Sequence, residues 1–464
     1  MSGSPNGSAI ALVEGSASHL RLGEGLVRDL ERQVRQAQSQ WHSPAVSAGV
    51  VRDGTLVWSL HVGAARLDPV TGPSDDTQYM IGSITKTFTA VLVMALRDAG
   101  RLSLDDRLDT YLPHTKHGAV TIRQLLSHAS GLQREPVGRI WENFDAPDQE
   151  RLLRELEVAE QVLPVHFAFH YSNLAFALLG QIVEQLEGRP WGDVVTERVL
   201  EPLEMKNTGL VPDNASRALG YQIHPHTGVA TIEPAFEQRA MAPLGGLWST
   251  VADMARYAAF VADPVAEILS RDSVDEMCRP LIMTDVEGWA RAYGLGYDLQ
   301  RTGERVLAGH GGAMPGFLAG LRVRRQDRVG AVVFANSTAG AETVTLAGQL
   351  VNAVLDAEPS MALIWSPSQP QPDLDGILGS WWTEGEEIVF EVRDDALWSR
   401  IPCGLPIADT RFAKEDSNRF RAVAGRERGE LLEITRGPAG EVERMHFATY
   451  PLTRTPTAFA NLLD

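Results

Sequence analysis

Ser83 and Lys86 stand three residues apart in IGSITKTFTA, which runs directly into the apolar stretch VLVMALRDAG. Positions i and i+3 share one face of a helix, so hydroxyl and amine can meet. A serine attacks a carbonyl only when a base takes its proton. A lysine serves as that base only when its ammonium pKa is lowered. A helix N-terminus also points backbone N–H groups and a positive dipole end at developing negative charge. The same two residues would equally make an N-cap serine with a solvated lysine. A chain with 26 serines and four lysines meets the spacing by chance roughly once in five, so the pair needs company.

Two further constellations supply it. FHYSNLAFALLG places Tyr171 and Asn173 two residues apart, just before an apolar helix. GHGGAMPGF places His310, Gly311, Gly312 and Ala313 at the end of a predicted strand, ahead of a proline turn. Taken singly, Tyr171 reads as a half-buried core tyrosine, Asn173 as a helix cap and His310 as a strand-end histidine. Taken in order they read Ser-x-x-Lys, Tyr-x-Asn, His-x-Gly.

In that order the chain resembles the serine β-lactamase and penicillin-binding protein superfamily. The likeness is to its class C-like branch of esterases, D-aminopeptidases and DD-peptidases. The flanking stretches LLSHASGL, LEPLEMKNTGL and GGLWSTVADMARY are similar to that family's connecting signatures, and the resemblance spans about residues 25–355. It implies Ser83 as nucleophile, with Lys86 and Tyr171 sharing the general-base and general-acid work. Asn173 would bind the substrate amide and hold Lys86. His310 takes the place of the lysine in the commoner Lys-Thr-Gly strand motif. The oxyanion hole would be the backbone N–H groups of Ser83 and Ala313, flanked by Gly311 and Gly312. No Ser-Asp-Asn or Lys-Thr-Gly is present. A histidine there is charged only part of the time near neutral pH, so a permanent cation that grips a substrate carboxylate is expected to be missing. That weighs against β-lactamase or DD-peptidase activity and towards esters, amides and thioesters. Three acyl donors fit: those of a carboxylesterase, of a D-amino-acid amidase or peptidase, and of a penicillin-binding-protein-type thioesterase that cyclises a nonribosomal peptide. The last would take a substrate tethered to a carrier protein. A lapsed, binding-only version of the fold has no reason to keep Ser83, Lys86, Tyr171 and Asn173 together.

The elements that must position these residues are legible by periodicity. Leu26, Val27, Leu30 and Val34 form one helical stripe over about 22–40. SAGVVRDGTLVWSLHVGAA alternates about a DG turn, a hairpin signal. Residues 85–265 read as mostly helical, with a short helix in TIRQLLSHASGL ending at Gly131, a longer one ending at Gly188, and one after the cap in STVADMARYAAFVAD. Beyond residue 290, YGLGYDLQ, RVLAGHGG, FLAGLRVRR and RVGAVVFANS read as a β-meander closed by the helix TLAGQLVNAVLDA. The expected class is α/β (α+β): a β-lactamase-like sandwich, an antiparallel sheet with a helical subdomain. Residues 1–20 read as a flexible N-terminus, 21–358 as the catalytic domain and 359–373 as a proline-rich linker. Residues 374–464 read as an antiparallel, lipocalin-like β-barrel, in which Trp381 and Trp382 either pack the core or mark a unit that caps the active-site cleft and shapes its specificity.

Composition bounds the rest. At 464 residues, 44% apolar and 22% charged, the chain is an ordinary globular one. A net charge of −18 and a pI near 5.2 argue against partnership with nucleic acid or an anionic membrane. The two cysteines, Cys278 and Cys403, imply no disulfide framework. No export signal or membrane-spanning run is evident, so a cytoplasmic location is expected. Histidines at 114, 117, 128, 166 and 170 are not completed by carboxylates into a ligand set, so neither metal nor cofactor is expected. The partner expected is a small-molecule or peptide acyl substrate.

Overall fold

The computed structural model describes residues 21–113, 115–234, 236–359, 371–393, 395–402 and 409–457. The N-terminal segment 1–20, His114, Cys403 and most of the proline-rich stretch expected over 359–373 lie outside the described residues. The chain divides into two compact units, Met1–Ser360 and Met361–Asp464.

The first unit is built on an eight-stranded antiparallel sheet. Its strands are β1 (Ala45–Arg52), β2 (Thr55–Gly63), β3 (Ile282–Met283), β4 (Arg291–Tyr293), β5 (Asp298–Thr302), β6 (Arg305–Met314), β7 (Phe317–Arg324) and β8 (Val329–Ala335). They run in the spatial order β2-β1-β8-β7-β6-β5-β4-β3. Asp53 and Gly54 both adopt positive φ, +48° and +79°, which is what a tight two-residue hairpin between β1 and β2 requires.

The central strands are apolar on both faces because both are covered. Val46, Ala48, Val50, Ala331 and Val333 pack with Leu30, Val34, Leu350 and Val351, which lie on helices α1 (Glu24–Trp41) and α6 (Thr343–Ala357). The alternate residues Val51, Val332 and Phe334 face the helical side. That side holds α2 (Thr85–Asp98), α3 (Ile122–Leu126), α4 (Asn173–Glu187) and α5 (Val251–Ala262). Helices α2 and α4 are buried around almost their whole circumference, which is why their sequences are apolar on every face. Thr250 caps α5 by accepting from the Asp253 N–H at 3.1 Å. Helix α3 stops well short of Gly131, because His128 takes a left-handed φ of +57° and breaks the helical path three residues early.

The second unit is an eight-stranded antiparallel meander, β9 (Gly379–Thr383) through β16 (Tyr450–Leu452). Trp382 and Thr453 exchange backbone hydrogen bonds of 2.8 and 3.0 Å, so the first strand meets the chain just beyond the last and the barrel is nearly closed. Trp381, Phe390, Phe412, Phe420, Leu432 and Met445 fill it. Trp381 donates to the Ile377 carbonyl at 2.6 Å and lies under the Arg454 guanidinium, a core-packing role. Among the described residues no helix is long and apolar enough to cross a membrane.

Candidate active site

Gly82–Ile84 form a 3-10 turn leading into α2, and Ser83 stands on that turn with its hydroxyl in a cleft of about 1120 Å³. The turn lies hard against the end of β6. A Cβ on Gly82, whose φ is +50°, would come within 2.7 Å of the Ala313 nitrogen, and one on Gly312 within 1.9 Å of the Ile81 carbonyl oxygen. Only glycines let the two backbones approach so closely. That approach brings Ser83 and Ala313 to the same cleft, which Gly311 and Gly312 also line.

Lys86, one turn along α2, is fully buried. Its ammonium donates to Ser83 Oγ at 3.0 Å and to the Leu244 carbonyl at 2.9 Å. Burial holds its pKa well below the ordinary lysine value. The nearby Glu135 carboxylate opposes this and the Arg134 guanidinium adds to it. A buried amine that sheds its proton easily, within reach of a hydroxyl, is what the Ser-x-x-Lys chemistry requires.

Tyr171 lies just before α4, and Lys86 Nζ sits 5.0 Å from its ring centroid. Burial pushes its phenol above the usual tyrosine range, against the hydrogen bond with the Ser83 hydroxyl. Ser172, not Asn173, caps α4, accepting from the Ala175 N–H at 3.1 Å. Asn173 is thereby the first helical residue, and its amide donates to Glu135 Oε1 at 2.7 Å. Its Oδ1 is buried and unpartnered among the described residues. Lys86 is held instead by its bonds to Ser83 Oγ and the Leu244 carbonyl, while the Asn173 amide goes to Glu135.

His310, on β6, is buried. Its Nδ1 lies 2.5 Å from the Gly311 carbonyl and its Nε2 3.0 Å from the Tyr293 hydroxyl. A carbonyl can only accept, so Nδ1 carries the proton and Nε2 accepts from Tyr293. Burial, with the Lys86 charge, lowers its pKa to about 4, against the hydrogen bond to Gly311. His310 is therefore neutral at pH 7 rather than partly charged. The expectation of a cleft without a permanent cation also needs correcting, since Arg134 and Arg291 both line it.

The cleft thus gathers Ser83, Tyr171, Asn173, His310 and the glycine strand end, with Lys86 directly behind Ser83. It adds residues that motif reading missed. Glu135 is a mostly buried carboxyl whose pKa burial raises, against its side-chain hydrogen bonds with Asn173 and Trp141. Tyr293 lies on β4. His128 packs against Tyr171 with ring centroids 4.3 Å apart and accepts the Ser172 N–H at 3.0 Å. Only His128 had a sequence signal, its place in LLSHASGL. A second serine–histidine–aspartate chain lies outside the cleft. Ser47 Oγ is 2.9 Å from His61 Nδ1, and His61 Nε2 is 2.9 Å from Asp75 Oδ1. Ser47 is fully buried and also bonded to the Tyr79 hydroxyl at 2.8 Å, so this chain braces the sheet and is closed to substrate. His117, read among the histidine ligand candidates, bonds instead to the Ala159 carbonyl at 2.8 Å.

The fold and this cleft are those of a serine acyl-transfer hydrolase. The Beta-lactamase family matches residues 30–356, and a domain of unknown function, DUF7586, matches residues 370–454. The chain belongs to the Beta-lactamase family, within the serine β-lactamase and penicillin-binding protein superfamily. It is 33% identical to Beta-lactamase-like protein 2 of Dictyostelium discoideum over 248 residues, which are 50% of this chain and 45% of that protein. It is 26% identical to the D-aminopeptidase of Brucella canis over 436 residues, covering 91% of this chain and 79% of that one. The octameric penicillin-binding protein homologue from Pyrococcus abyssi shares the fold over 92% of this chain and 99% of its own, with a TM-score of 0.65 at 22% identity. The D-amino acid amidase from Ochrobactrum anthropi SV3 does so over 71% of this chain and 98% of its own, with a TM-score of 0.62 at 21% identity.

Proposed function

We propose that this protein hydrolyses amides of D-configured amino acids or short peptides that carry a free amino group, through an acyl-enzyme on Ser83. The observation that carries the chemistry is the buried Lys86 amine 3.0 Å from Ser83 Oγ. Lys86 takes the hydroxyl proton as Oγ attacks the carbonyl. The N–H groups of Ser83 and Ala313 receive the oxyanion. Tyr171, whose hydroxyl bonds to the Ser83 hydroxyl, passes the proton to the departing amine. Water then attacks the ester on Ser83 and releases the acid.

Glu135 supports the amino-group preference. It lines the cleft beside Asn173, and its carboxylate, which also bonds to the Trp141 side chain, would pair with a substrate ammonium. The free Oδ1 of Asn173 would accept the substrate amide N–H. The D-configuration is supported by the similarity to the D-aminopeptidase.

The test compares D- and L-phenylalanine amide, N-acetyl-D-phenylalanine amide, an acyl thioester and a penicillin, with wild type and Ser83→Ala. Turnover of the D-amide at least about tenfold above the L-amide, weakened by acetylation and lost in the variant, is expected. Equal rates on the acetylated amide would remove the amino-group reading. Preferred turnover of the penicillin would support a β-lactamase instead, and aminolysis of the thioester would support a cyclising thioesterase.

A further inference from the structure

The cleft, at about 1120 Å³, exceeds what the amide of one amino acid fills. Two loops that each contribute residues to its lining, Phe169 in one and Thr284 and Asp285 in the other, also carry apolar side chains that the fold leaves exposed. They meet where Phe169 packs on Tyr293, ring centroids 5.5 Å apart. In one loop Phe167, two residues before Phe169, is 72% exposed. In the other, between β3 and β4, Trp289 is 69% and Val286 73% exposed. Thr284, Asp285 and Arg291 at the base of that loop line the cleft.

The Trp289 loop is tightly held. The Asp285 carboxylate accepts from the Gly288 N–H at 2.7 Å, and the Trp289 indole donates to the Val286 carbonyl at 2.7 Å. Trp289 itself adopts a φ of +50°, a left-handed conformation that bulky L residues rarely take. The chain thus holds an indole mostly in water, in a disfavoured backbone conformation, with little burial in return. A rigid aromatic surface beside a catalytic cleft has a use when a ligand covers it.

We propose that Trp289, with Val286 and Phe167, forms an apolar subsite for a substrate several residues long. The substrate class is then a peptide with an apolar residue some distance from the cleaved amide, rather than a free amino acid amide. This rests on the reading that Ser83 carries the acyl group. It does not depend on the configuration preferred at the cleaved residue.

The test measures kcat and KM for wild type, Trp289→Ala and Trp289→Phe on amides of one to four residues, in D and L series, with an apolar or a glycine residue at the distal position. In wild type the apolar extension should raise kcat/KM by about tenfold or more, mainly through KM. Trp289→Ala should lose that gain yet keep the one-residue rate, and Trp289→Phe should retain most of it. Ser83-dependent turnover with no gain from apolar extension overturns the subsite and leaves the hydrolase reading intact. So does an equal fall in Trp289→Ala on long and short substrates. Activity that persists in Ser83→Ala overturns both.

Discussion

At the scale of single residues, the charges around Lys86 set when it can act as a base. Burial lowers its pKa, Glu135 works against that, and Arg134 works with it. On the proposed mechanism the acid limb of the kcat/KM profile reports the loss of the Lys86 proton in the free enzyme. Replacing Glu135 by Gln removes the charge that supports the ammonium, so the limb should move to lower pH. Replacing Arg134 by Gln should move it to higher pH. A pH–rate series on a neutral ester, which needs no ammonium anchor, checks both signs. Shifts in the same direction would contradict the arrangement. The residues legible in the sequence were those whose pairings are local: Ser83 with Lys86, Tyr171 with Asn173, His310 with its glycines. Glu135 and Tyr293 were not legible, because each reaches the cleft through a tertiary contact between segments far apart in the chain. Glu135 meets Asn173 across 38 residues, and Tyr293 meets His310 across 17.

At the scale of elements, the 3-10 turn before α2 and the end of β6 share one narrow seam. Gly312→Ala would push a methyl group to within 1.9 Å of the Ile81 carbonyl, and neither backbone can yield without moving Ser83 or Ala313, the oxyanion donors proposed above. A displacement near 1 Å costs on the order of a hundredfold in rate. The variant should therefore lose about that much in kcat, with far-UV circular dichroism unchanged. A rate within about threefold of wild type would show that the seam does not hold the donors. Helix and strand positions were largely readable, since α2, α4, α5 and the strands after residue 290 carry strong periods and clear caps. One error has a physical cause: helix α3 ends early, where His128 turns left-handed and accepts the Ser172 N–H.

At the scale of the whole molecule, buried histidines tie stability to pH. His310 titrates at about 4 in the folded protein and near 6.5 when unfolded. Between those values the unfolded chain binds a proton that the folded chain does not. Stability is therefore fully present above about pH 6.5 and is lost as pH falls towards 4, by on the order of 3 kcal/mol from this residue. His128, also buried and held well below its ordinary value, adds in the same direction. Urea midpoints at pH 7 and pH 4.5 should differ clearly in wild type and by less in His310→Gln; equal acid loss in the two would contradict the assignment.

The central claim is that Ser83 is the nucleophile. The most direct measurement is intact mass and peptide mapping after treatment with a fluorophosphonate, for wild type and Ser83→Ala. One adduct on the peptide holding Ser83, absent in the variant, is the expected result. An adduct on Ser47, whose His61–Asp75 chain has the connectivity of a triad, or labelling that survives in Ser83→Ala, would contradict it.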